Sequence, residues 1–91
     1  MRPLSQAVPG AVASLLREAP LSDGKVAFAW KVAVGPAMGR ATAIKLEGTL
    51  LLIDVANEQW AREIRRSSGV ILSRLSTLLG RDTVTEIKVR R

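Results

Sequence analysis

The 91-residue chain contains no cysteine, no histidine and no tyrosine. Without cysteine there is no disulfide, no thiol nucleophile and no thiolate-bound metal. Without histidine, the commonest zinc ligand and the usual acid–base group near neutral pH are also gone. Aromatic rings are limited to Phe28, Trp30 and Trp60. A sheet that reads bases by stacking needs exposed rings on its strands, and the strand-like segments here carry none. No apolar run approaches the roughly 20 residues that a membrane-spanning helix requires. The opening MRPLSQAVPGAVASLL is broken by Pro9 and Gly10 and lacks the sustained apolar core of a signal sequence.

The remaining candidates for chemistry are sparse. Asp54 ends an apolar strand, but no second carboxylate stands at a suggestive spacing. Glu58 and Glu63 are accounted for by helix-end charge and by pairing with Arg66 or Arg62. Ser67 and Ser68 lack a recognisable base, and GPAMGR at 35–40 lacks the Gly-Lys-Ser/Thr ending of a phosphate loop. These features predict a soluble, cytoplasmic, non-enzymatic protein with no catalytic residues, no metal, no cofactor and no membrane contact.

What is present is a folding composition with excess positive charge. Forty-seven per cent of residues are hydrophobic, enough for the core of one small domain spanning 1–91. Fourteen Lys and Arg stand against eight Asp and Glu, a formal charge of +6. Such an imbalance favours polyanionic partners through counterion release, without choosing among RNA, single-stranded DNA and duplex DNA.

The periodicities predict an α+β domain in the order α–α–β–β–α–β, with a three-stranded sheet packed on helices. Pro9 suits the first turn of a helix to about Ala19, whose face is Val12, Leu15, Leu16 and Ala19. Ser22 or Asp23 caps a second helix through Val34, and Gly35 stops it. That helix is apolar on two sides, with Val26, Trp30, Ala33 and Val34 on one and Phe28 and Val32 on the other. PAMGRA offers a short extra turn. Thr42, Ile44 and Leu46 alternate with Ala43, Lys45 and Glu47 as a half-buried strand. Glu47–Gly48 reads as a hairpin turn into the more apolar TLLLIDV, and Thr85, Ile87 and Val89 mark a third strand. From Asn57 to Leu79, Trp60, Ile64, Ile71, Leu75 and Leu78 keep one helical phase across SSG at 67–69. This predicts a single helix bent at Gly69, roughly 34 Å long at 1.5 Å per residue.

Two groups of residues point to function. Arg62, Arg65 and Arg66 project away from the Trp60 stripe, with Arg74 on its flank, and Arg is well matched to phosphate oxygens. Arg40 follows the GPAMG turn, while Lys45, Lys88, Arg90 and Arg91 would form a second patch on the open sheet face. Any nucleic-acid contact built this way is led by phosphate and weakly sequence-specific. Trp30 reads as core. Trp60, in the first turn of its helix, reads as an anchor of that helix against the sheet with part of its ring left for a protein partner, and Phe28 is a second candidate for such a contact.

The ordered elements AWKVAVG (29–35), ATAIKLEGTLLLIDVANEQWAREI (41–64) and ILSRLSTLLG (71–80) resemble the DciA family of bacterial replication proteins. The matching features are Trp30 with Val34–Gly35, Gly48 with Leu50 and Leu52, Trp60–Ala61 with Glu63–Ile64, and Leu72, Leu75 and Gly80. The resemblance implies a domain similar to a type II KH fold and a protein that binds DNA, single- or double-stranded, and the replicative DNA helicase to assist its loading. The Gly-x-x-Gly loop of nucleic-acid-binding KH domains is replaced here by SSGV, so arginine side chains must supply the grip. An RNA-binding KH-like module associated with ribosomes or RNA metabolism is the alternative, and a weak homodimer through Phe28 and Val32 is a third reading.

Overall fold

The computed structural model describes residues 20–90. The helix expected over 9–19, and Arg91, lie outside the described residues. Helix α1 spans Asp23–Val34 and is started by Ser22, whose hydroxyl accepts a 3.1 Å hydrogen bond from the Lys25 amide. Gly35, at φ 88°, turns the chain out of α1, and Pro36 opens the short α2, Pro36–Arg40. Strands β1 (Thr42–Glu47) and β2 (Leu50–Val55) form an antiparallel hairpin in which Ile44 faces Ile53. Its turn residues are Gly48 and Thr49, one position later than the sequence suggests, with Gly48 at φ 63°. Strand β3 (Glu86–Arg90) pairs with β2 in parallel, giving the mixed sheet β1–β2–β3.

A parallel pair needs a crossover, and the segment between β2 and β3 supplies it. That segment is two helices, α3 (Glu58–Arg66) and α4 (Ser68–Leu79). The expected single helix is therefore interrupted, at Ser67 and not at Gly69. Ser67 has φ −96° and ψ 9°, off helical geometry, in a Ser-Ser-Gly run with weak helix propensity. The apolar phase nevertheless survives, because Ile64, Ile71, Leu75 and Leu78 all pack into one core. Contact with that shared core keeps the phase, without an unbroken helix. With α3–α4 taken as one helical segment, the described order is α–α–β–β–α–β.

Val26, Ala29, Trp30 and Ala33 of α1 join Leu51 and Ile53 of β2 in this core. The period-3.6 stripe on α1 and the period-2 inward face of β2 thus bury one another's apolar surface. Trp30 is buried as expected, and its indole N–H donates a 2.8 Å bond to Thr42 Oγ1. The Thr42 hydroxyl donates in turn to the Met38 carbonyl at 2.8 Å. This relay fixes α1, α2 and the start of β1 against one another, with the buried indole donor satisfied.

Candidate nucleic-acid and partner interface

Helix α3 begins at Asn57, whose side-chain oxygen accepts a 3.0 Å bond from the Trp60 amide. Ala61 and Ile64 on its inner side are buried, which turns Arg62, Arg65 and Arg66 outward into solvent. Two of the three meet carboxylates. Arg65 Nη1 lies 3.3 Å from Glu58 Oε2, and Arg66 Nη2 lies 3.2 Å from Glu63 Oε1. Arg62 has no ion-pair partner among the described residues. Exposed pairs of this kind contribute about 0–1 kcal/mol, so a phosphate can displace the carboxylates at little cost.

Trp60 is half-buried and lines a surface cleft of about 490 Å³ with Val34, Ala37, Met38, Gln59 and Glu63. The cleft lies between the α1–α2 corner and the first turns of α3, and Trp60 is not among the residues of the hydrophobic core that its helical phase suggests. A second depression, about 350 Å³, is lined by Arg65, Ser68, Ile87, Lys88 and Val89. It brings a helix arginine, Arg65, beside a strand lysine, Lys88.

The open sheet face carries Glu47, Lys45 and Ala43 on β1, Leu50, Leu52 and Asp54 on β2, and Glu86, Lys88 and Arg90 on β3, aligned in three rows. Leu52 is buried here between Lys45 and Lys88, whose long apolar stems suit them to covering it. Lys45 pairs with Glu47 at 3.5 Å. Arg90 grips Asp54 at both ends of the carboxylate, Nε to Oδ1 at 3.0 Å and Nη2 to Oδ2 at 3.1 Å. Lys45 and Arg90 are thus each paired with a carboxylate on the same face, Glu47 and Asp54, so this face is less basic than the sequence suggests, and Lys88 is its one cation with no ion pair among the described residues.

Arg74 is the clearest correction. It is 8% exposed, and its Nη1 donates a 3.1 Å bond to the Ala33 carbonyl. Burial lowers its pKa from the ordinary arginine value, although a guanidinium keeps its proton in proteins. It straps α4 to α1 and is not presented to phosphate. Arg40 is exposed at the end of α2, beside Lys31, which sequence reasoning did not single out. The available signal was GPAMG, since Gly35 ends one helix and the Gly39 amide bonds back to its carbonyl, folding α2 against Lys31. Phe28 is 51% exposed on α1. Among the described residues, no group of three or more His, Cys, Asp or Glu could hold a metal, and no helix is long and apolar enough to cross a membrane.

A family model described as "Dna[CI] antecedent, DciA" matches residues 3–89. The chain belongs to the DciA family. That family belongs to bacterial DNA replication and comprises helicase loaders, a non-catalytic accessory class. No curated protein and no solved structure gives a match. Within the DciA pattern, Trp60 and Ala61 now have distinct places. Ala61 is buried beneath α3, while Trp60 opens onto the cleft.

Proposed function

We propose that this DciA-family chain, a single domain over 1–91, acts in the bacterial cytoplasm as a non-enzymatic replication accessory that binds both DNA and the replicative helicase. The observation that carries this reading is the division of α3. Trp60 lines a cleft whose far wall is Val34, Ala37 and Met38, whereas Arg62, Arg65 and Arg66 stand in solvent. A half-buried Trp over a cleft suits a protein contact, and a row of guanidinium groups suits phosphate. Lys88 extends the phosphate-binding surface along β3 beside Arg65. DNA contact by these residues is led by phosphate and weakly sequence-specific, because the strands carry no ring on which a base could stack.

A loading assay tests the reading. The host's replicative helicase is added to single-stranded DNA with and without this protein, and helicase retained on DNA is measured. The protein increases the retained fraction, and Arg62→Ala with Arg65→Ala reduces that increase. An unchanged fraction in the presence of the folded protein contradicts the assignment.

A further inference from the structure

The corner formed by α1 and α2 carries an apolar stripe whose neighbouring charges are not balanced within the described chain. Leu21 and Phe28 are 58% and 51% exposed, the half-buried Val32 lies one turn beyond Phe28, and Pro36 is exposed after it. Lys31, Val32, Pro36, Gly39 and Arg40 line a cleft of about 330 Å³ with no carboxylate in its wall. The missing side chain at Gly39 shapes it, since a Cβ there would lie 3.3 Å from Lys31 Cγ. The Lys31 stem therefore lies close across α2, beside Arg40. Neither cation has an ion pair among the described residues, whereas Arg65, Arg66, Lys45 and Arg90 each have one. Helix α2 separates this cleft from the Trp60 cleft, which uses Ala37 and Met38.

We propose that this corner is a docking surface for an acidic amphipathic helix of a protein partner. Apolar side chains at helical spacing on such a helix cover Phe28, Val32 and Pro36, and its flanking carboxylates reach Lys31 and Arg40. Charge complementarity decides the occupant. A second copy in a two-fold dimer sets the same patch against itself, so that Lys31 and Arg40 meet their own kind. A single-stranded nucleic acid needs successive ring faces, and this surface has one ring followed by aliphatic Val32 and Pro36. The proposal goes beyond the helicase-loading assignment and does not require it.

The test follows amide shifts of the labelled protein at about 150 mM salt, where long-range charge effects are largely screened. Three probes are added in turn. One is a helical peptide of about eighteen residues with leucines at i, i+3, i+4 and i+7 flanked by glutamates. The others are the same peptide with lysine in place of glutamate, and an oligothymidylate. The glutamate peptide shifts amides across 28–40, and the lysine peptide does not. Phe28→Ala, and separately Lys31→Glu with Arg40→Glu, weaken the glutamate peptide at least about tenfold, whereas Glu86→Gln on the far sheet edge leaves it unchanged. The proposal is overturned if the glutamate peptide leaves 28–40 unmoved or if both peptides act alike. It is equally overturned if the oligonucleotide takes these residues more tightly, or if they shift with protein concentration alone.

Discussion

Arg74, on α4, donates its Nη1 hydrogen to the carbonyl of Ala33 in the last turn of α1, at 3.1 Å. Helix C-terminal carbonyls have no partner within their own helix, and they carry the negative end of the helix dipole. A buried guanidinium satisfies both requirements. Arg74→Met, which keeps the stem and removes the charge-assisted bond, should cost about 1.5–3 kcal/mol in urea denaturation. Arg74→Ala should cost roughly 1 kcal/mol more through lost packing. DNA affinity of the folded Arg74→Met protein should stay within about twofold of the parent, and a larger loss with unchanged stability would return Arg74 to the phosphate-binding set.

Asp54 occupies Arg90 with two hydrogen bonds on the open sheet face. Both groups are exposed, so Asp54→Asn should change stability by less than about 1 kcal/mol. It should free Arg90 for phosphate, raising DNA affinity and steepening the log–log salt slope by about one. Arg62→Ala should act in the opposite direction, lowering the slope by about one. Fluorescence anisotropy across a salt series reads both, and equal slopes in all three proteins would show that neither arginine meets phosphate.

The two glycines bounding helices should respond with opposite signs. Gly69 is in the first turn of α4 with open space where a Cβ would go. Gly69→Ala should therefore stabilise by about 0.5–1 kcal/mol. Gly35 also has open space but sits at φ 88°, and Gly35→Ala should destabilise by about 1–2 kcal/mol. Thermal melts resolve the difference, since about 1 kcal/mol moves the Tm of a domain this size by roughly 4–8 °C.

Most of the architecture was legible because the apolar periods of α1, β1 and β2 agree with their turn residues. Ser22, Gly35, Pro36 and Gly80 mark boundaries by backbone chemistry that needs no tertiary information. The break at Ser67 was hidden because the core preserves the phase of Ile64 and Ile71 on either side of it. Arg74 was misplaced because a helical wheel gives an angle but not the neighbour that covers it. Neutralisation of the sheet face was hidden for a related reason, since Arg90 and Asp54 are 36 residues apart and meet only through parallel pairing. The outward face of the α3 cluster is legible from the helical phase, and the pairing of Glu63 with Arg66 follows from the i, i+3 rule.

The central claim places a helicase contact at Trp60, and it is tested most directly by mixing the protein with its host's replicative helicase. At about 150 mM salt, surface electrostatics alone are a weak source of association. Complex mass is measured for the parent and for Trp60→Ala, with circular dichroism confirming that the variant is folded. The account predicts a defined complex that Trp60→Ala weakens at least about tenfold, equivalent to about 1.4 kcal/mol. A folded Trp60→Ala protein binding at full strength, or a parent protein forming no complex, contradicts it.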